Sequence, residues 1–134
     1  MEREMYGEYL RWRGYQVEES ETGREAFERA LVVRPDLVCA SFVMGGGNGA
    51  ELCAALHADE RTSHIPVIIL TTLTTAIEMQ TALASGCEGL LVKPCLPERL
   101  REEAARLIAE SRRAHHRAPP GRPLRSLRSL RSRR

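Results

Sequence analysis

The chain has 134 residues, a formal net charge of +2 and 43% hydrophobic residues, enough for one domain with a single core. Its acidic, polar start does not resemble a secretory signal, and no apolar run approaches the roughly 20 residues that span a bilayer. Four cysteines without CxxC or zinc-site spacing argue against a disulfide framework or a zinc centre. We therefore expect a cytoplasmic protein with no membrane contact.

The charge is divided unevenly along the chain. Residues 111–134 contain nine arginines and no acidic residue, so residues 1–110 carry a net charge of −7. Within the arginine-rich part, residues 124–132 repeat with a period of three, which fits neither a helix nor a strand. The sequence predicts one folded domain at 1–110 and a disordered tail at 111–134.

The first elements in chain order are a helix, a strand and a second helix. Residues 2–13 have apolar side chains at helical spacing, and Gly14 ends the pattern. Residues 15–18 alternate between apolar and polar, which predicts a short strand. Residues 22–33 are predicted to be helical, with Thr22 as the N-cap.

The middle of the chain contains two apolar runs. Residues 37–41 are continuously apolar up to Ser41, which is typical of a strand covered on both faces. Residues 44–49 are glycine-rich and are expected to form a flexible turn before a helix at 50–58. The second run, a predicted strand, begins after Pro66 and ends at Thr71.

The last three elements repeat the alternation. A helix is predicted at 75–85, a strand at 88–92, and a final helix from Pro97 onward. Alternating strands and helices indicate an α/β fold with a parallel sheet flanked by helices. Functional groups in such sheets gather at the carboxyl ends of the strands, where Ser41, Thr71 and Lys93 fall.

These three positions, and the Lys93-Pro94 dipeptide, resemble the site of bacterial response-regulator receiver domains, the CheY-like family of two-component phosphorelay systems. The resemblance covers about residues 2–109. It implies a flavodoxin-like fold in which Thr71 and Lys93 occupy the hydroxyl and lysine positions that contact phosphate. It also implies a histidine kinase or other signalling protein as partner, through a face at about residues 75–108.

The chain departs from the family pattern at several places. Ser41 stands where the family has its phosphoaccepting aspartate, and Leu90 replaces an aromatic residue that reorients on activation in many members. Residues 44–49 lack the proline of the usual turn. The family's first strand and its acidic pair are missing, because the chain begins within the first helix. We expect an N-terminally truncated fold of about four strands and five helices.

Those departures predict lost phosphoryl chemistry. The family holds Mg2+ with the acceptor aspartate and the acidic pair, so no cofactor or metal site is expected here. Ser41 is interpreted as a small polar substitute with no base to activate it, and the chain as not an enzyme. The predicted role is phosphate-independent protein–protein interaction, and a working phosphoacceptor receiver is the alternative.

Other hypotheses concern the remaining motifs. Binding of nucleic acid through the arginine-rich tail is a second alternative function. A hydrolase built on Ser41, His57 and His64 lacks the usual serine motif, and the glycine loop lacks the lysine of a P-loop.

For the missing strand three outcomes are open. In the first, the true start of the protein lies upstream of Met1. In the second, the predicted strand at residues 15–18 pairs directly with residues 37–41. In the third, a partner protein donates a strand.

Overall fold

The structure, a computed structural model, describes residues 2–44, 46–72 and 75–116, with the side chains of residues 2, 115 and 116 left out. The helices are α1 (Glu2–Trp12), α2 (Gly23–Val33), α3 (Gly49–Ala58), α4 (Ala76–Ala84) and α5 (Pro97–His116). The strands are β1 (Val38–Ser41), β2 (Val43–Met44), β3 (Gly47–Asn48), β4 (Val67–Thr71) and β5 (Gly89–Val92).

Three strands form a parallel sheet in the order β1-β4-β5. The central strand β4 is buried along its whole length, as its β-branched and leucine side chains favour when helices cover both faces. The predicted α/β class is therefore confirmed, with a parallel sheet flanked by five helices.

Each face of the sheet has its own core. On one face α2, α3 and α4 pack around Ala40 and Ile69. On the other, α1 and α5 pack around Ile68 and Leu70. Successive residues of β4 thus point into opposite cores, as strand geometry requires. Among the described residues, no helix is long and apolar enough to cross a bilayer.

Polar caps fix where three of the helices begin. Thr22 Oγ1 accepts the Glu25 backbone N–H before α2, and Thr75 Oγ1 accepts the Glu78 N–H before α4. Asn48 and Glu51 form a reciprocal capping box at α3, which satisfies two otherwise unpaired backbone donors. The predicted Thr22 cap is confirmed.

The strand predicted at residues 15–18 is wrong. Residues 15–20 have no regular secondary structure, and within the described chain β1 pairs with β4 alone. The alternating pattern is present, but a strand also needs a neighbour for its backbone groups. The predicted direct pairing of residues 15–18 with residues 37–41 is also wrong, because a cleft separates the two segments.

The glycine-rich segment is more ordered than the sequence predicted. β2 and β3 pair as an antiparallel hairpin, with residue 45 outside the described part. Gly46 and Gly47 have φ values of 79° and 155°, which side chains rarely tolerate. The Gly49 N–H donates to the Phe42 carbonyl at 2.8 Å and closes the turn onto α3. The expected flexible turn is therefore a tight hairpin.

The last helix passes the predicted domain boundary at residue 110. α5 continues to His116, and Arg112 lies 3.4 Å from the buried carboxylate of Asp36. The first arginine of the predicted tail thus contacts the folded body. Residues 117–134 lie outside the described residues, so their disorder stays a prediction.

Candidate functional site

Ser41, Thr71 and Lys93 lie at one edge of the sheet. Ser41 ends β1, Thr71 ends β4, and Lys93 follows the last residue of β5. Because all three strands are parallel, their carboxyl ends share that edge. The Lys93 backbone N–H also donates to the Thr71 carbonyl at 2.8 Å, which carries the sheet pairing one residue beyond β5. The structure thus brings together the three residues that the sequence singled out.

A side-chain hydrogen bond at this edge joins Lys93 and Ser41. The Lys93 ammonium donates to Ser41 Oγ at 3.3 Å, across 52 residues of sequence. The hydroxyl carries no charge, so it meets the ammonium as a neutral hydrogen-bond acceptor. A carboxylate in its place would add an opposite charge to this hydrogen bond and form an ion pair with the ammonium. The Lys93-Pro94 peptide bond that follows is cis.

Thr71 is buried and contacts a carboxylate that the sequence analysis missed. Its Oγ1 donates to Glu78 Oε1 at 3.4 Å, and Glu78 lies in the first turn of α4. The available signal was a Thr75–Glu78 capping pattern directly after the strand ending at Thr71. Glu78 is the carboxylate that the structure adds to the predicted set.

Leu90 lies in the middle of β5, opposite Ile69 of β4. Its half-buried side chain packs against the core cluster between the sheet and α2, α3 and α4. An aliphatic side chain in this position completes the core and offers no ring that could turn between two environments. The role of Leu90 as a replaced switch residue stays a prediction.

The two histidines of the hydrolase hypothesis lie at the other end of the sheet. His57 Nε2 is 3.4 Å from Glu88, which immediately precedes β5, and His64 precedes β4. Both are at the amino edge, opposite Ser41. The Nδ1 atom of His57 lies 3.7 Å from Cys53, whose thiol is buried and whose pKa is raised to about 11 by desolvation. The geometry therefore agrees with the sequence analysis, which found no support for a Ser41 hydrolase.

The donor chemistry at the carboxyl edge can be compared with what a divalent cation needs. A hard cation such as Mg2+ takes oxygen ligands, usually with at least one or two carboxylates. Of the described residues brought together there, Ser41 and Thr71 present neutral hydroxyls, Lys93 an ammonium, and Glu78 a carboxylate that already accepts from Thr71. Within the described ranges, no three acidic, histidine or cysteine side chains are grouped as a metal site. These residues do not fit a Mg2+ centre.

Comparison with known families gives one match over most of the chain. The family of the response regulator receiver domain matches residues 1–105. The DNA-binding response regulator MtrA of Mycolicibacterium paratuberculosis is 33% identical over 110 residues, which is 82% of this chain and 46% of that protein. The chain thus spans about half the length of the curated relatives it matches.

Solved structures give the same picture. A signal receiver domain of a histidine kinase from Syntrophus aciditrophicus matches with a TM-score of 0.78 and 28% identity, covering 92% of this chain and 90% of that one. The chemotaxis protein CheY4 of Vibrio cholerae matches with a TM-score of 0.72 and 33% identity, covering 78% of this chain and 88% of that one.

Proposed function

Because the chain belongs to the response regulator receiver family of two-component systems, we propose that it signals by protein–protein contact without being phosphorylated. The observation that carries the proposal is the Ser41–Lys93 contact. At the edge where phosphoryl chemistry would occur, a neutral hydroxyl faces the ammonium at 3.3 Å. We place this function in the cytoplasm, and we propose no catalytic role for the chain.

Phosphoryl transfer to a side chain needs a nucleophile and positive charge that meets the phosphoryl oxygens. Lys93 supplies one cation, but Ser41 is a weak nucleophile without a base, and both histidines lie at the opposite edge. The misfit of the edge to Mg2+ removes the second source of positive charge. These points support a domain that keeps the receiver scaffold and has lost the reaction.

The direct test is incubation with a small phosphodonor and Mg2+, followed by intact-mass measurement. We expect no added phosphoryl mass on the parent chain, while an active receiver domain in the same tube gains it. The Ser41→Ala variant is the matched control and should behave like the parent. A phosphoryl adduct on the parent that is absent from Ser41→Ala would contradict the proposal.

The contact surface is proposed to lie within residues 75–108, facing a histidine kinase or another signalling protein. In the described sheet β5 is one of the two outer strands, and the apolar side chain of Val92 at its end is exposed. Ile77 is 73% exposed on α4, and Leu96 is 74% exposed before α5. Large apolar side chains left exposed within one segment are a common feature of interaction surfaces.

This surface can be tested by charge substitution against the cognate kinase. Ile77→Glu and Leu96→Glu are expected to weaken binding at least about tenfold, because each would place a carboxylate in an apolar contact. Val32→Glu is the matched control, since Val32 is 72% exposed on α2, on the far side of the sheet order. Equal losses in all three variants would show that the effect is not specific to residues 75–108.

A further inference from the structure

A cleft runs along the side of β1 that faces away from β4. Its volume is about 430 Å³, within the range of sites that bind ligands in proteins. One long side is β1 itself, with Cys39 and Ser41, and the other is the segment containing Tyr15 and Val17. The cleft therefore lies in the plane of the sheet, beside its first strand.

The backbone of β1 presents hydrogen-bonding groups to this cleft. The N–H groups of Val38 and Phe42 donate to the carbonyls of Pro66 and Leu70, at 3.0 and 2.7 Å, on the β4 side. Because successive residues of a strand direct their backbone groups to opposite sides, the N–H groups of Cys39 and Ser41 point into the cleft. In the described chain β4 is the single strand paired with β1. The cleft is thus lined by an open strand edge.

Apolar side chains close the cleft above and below the plane of the sheet. Ala30 and Leu52 line it on the side of α2 and α3. Leu100 and Ala104 of α5 line it on the opposite side. A strand placed in this space would have apolar surroundings on both faces, which is the setting of a continuous run of valine, isoleucine or leucine.

The far wall of the cleft is held in place by ion pairs. Arg3 of α1 lies 3.2 Å from Glu19, and Arg29 of α2 lies 2.6 Å from Glu18. These contacts connect the 15–20 segment to α1 and α2. Residues of this segment line the cleft, and in the described chain the segment does not pair with β1.

A positive charge lies beside the end of the cleft at Ser41. Lys93 lies at the carboxyl end of β1, with its ammonium 3.3 Å from Ser41 Oγ. A guest strand parallel to β1 would end beside this ammonium, so an acidic residue at its carboxyl end would be matched by charge. Parallel alignment also continues the direction of β1, β4 and β5.

We propose that this cleft is a strand-acceptor site. It binds an extended apolar peptide segment that adds to the open edge of β1, runs parallel to it, and ends in an acidic residue near Lys93. Main-chain hydrogen bonds to Cys39 and Ser41 supply part of the affinity, and burial of side chains against both cores supplies the rest. This inference does not depend on whether Ser41 is phosphorylated.

The probe is an acetylated peptide of about five valine and isoleucine residues ending in aspartate, with two leading lysines for solubility. Binding to the full chain is followed by isothermal titration calorimetry. The control peptide has the same sequence with N-methyl groups on alternate valines and isoleucines, which removes the donors that a strand needs. We expect saturable one-to-one binding of the probe and loss of binding of the control.

The extent of alkylation of Cys39 gives an independent measure of whether the peptide lies in the cleft. Its side chain is open to solvent and lines the cleft. Alkylation is therefore followed by mass mapping at mildly alkaline pH. At saturating probe, Cys39 modification should fall to the level of the buried Cys53.

Filling the cleft tests the same site without a change of peptide. Ala104→Leu extends a side chain into the cleft, whereas Ala109→Leu adds the same atoms at an exposed position of the same helix. Ala104→Leu should weaken probe binding about tenfold or more, and Ala109→Leu should leave it unchanged. The peptide controls and the Cys39 readout remain decisive if Ala104→Leu does not fold.

Three results would overturn the proposal. The first is no saturable binding of the probe with unchanged Cys39 alkylation. The second is equal binding of the N-methylated control, which would mean adsorption to an apolar surface. The third is a concentration-dependent dimer that protects Cys39 without any peptide, which would assign the cleft to a second copy of the chain.

Discussion

The two sides of β1 differ in strand pairing and in packing. On one side β4 is buried throughout, pairs in parallel with β1, and separates two cores. On the other side the 15–20 segment runs without regular structure across a cleft of about 430 Å³. The comparison shows that forming a strand in this fold depends on an adjacent strand to pair with as much as on the segment's own residues.

The largest difference between the two sides should appear in the cost of truncating a side chain. Ile69 of β4 is fully buried, so Ile69→Ala is expected to lower the free energy of unfolding by about 3 kcal/mol. Val17→Ala removes atoms from a half-buried position beside the cleft and should cost less than about 1 kcal/mol. Urea denaturation of both variants measures the two values, and similar costs would contradict the comparison.

A smaller contrast is expected from two glycines. A Cβ at Gly49 would lie 2.6 Å from the Ser41 carbonyl oxygen, so Gly49→Ala must displace backbone at the end of β1 and should cost about 1–3 kcal/mol. A Cβ at Gly23 meets the movable Met44 sulfur at 3.3 Å, and alanine also favours the helix. Gly23→Ala should therefore lie within about 1 kcal/mol of the parent on the stabilising side. Thermal unfolding distinguishes them, and a tolerated Gly49→Ala would refute the close approach.

The smallest expected effect concerns Glu98 in the first turn of α5, which is hydrogen-bonded to Tyr9 of α1. Hydrogen bonds from Arg101 and then from Tyr9 lower the pKa of Glu98 to about 2, from an ordinary value of 4.5. A lowered pKa in the folded state stabilises the fold above the ordinary pKa, and this contribution is lost as pH falls through about 2. Glu98 is exposed, so solvent screening keeps the contribution small.

Glu98→Gln should therefore reduce stability slightly at neutral pH and make its decline between about pH 4.5 and 2 shallower. Glu102→Gln, at an exposed position of the same helix, is the control and should leave the acid profile unchanged. Thermal unfolding across this pH range measures both. A profile for Glu98→Gln that matches the parent would show that the link between Tyr9 and Glu98 adds nothing.

The paired half of the molecule could be predicted from the sequence. The apolar runs ending at Ser41 and Thr71 are strands, and the alternation with helices gave the parallel sheet. The edge position of Ser41, Thr71 and Lys93 followed from that alternation, because strand direction fixes where strand ends gather. These inferences use the local residue pattern and a general rule of sheet topology. Neither the pattern nor the rule requires knowing which segments lie beside β1.

The rest depends on contacts between distant residues, which a local pattern does not contain. Residues 15–18 have the alternation of a strand but no strand beside them. The proximity of Glu78 to Thr71 depends on how α4 returns over β4, and the Arg112–Asp36 pair joins residues 76 positions apart. The glycine-rich segment was predicted to be a flexible turn, but its glycines adopt positive φ values that form a tight hairpin.

The measurement that tests this account most directly is hydrogen exchange at each amide of β1. The N–H groups of Val38, Ala40 and Phe42 point to β4 and should be protected, whereas those of Cys39 and Ser41 point into the cleft and should exchange rapidly. An alternating pattern along these five residues is the predicted result. Uniform protection from Val38 to Phe42 would mean that β1 is paired on both sides, and would contradict the account.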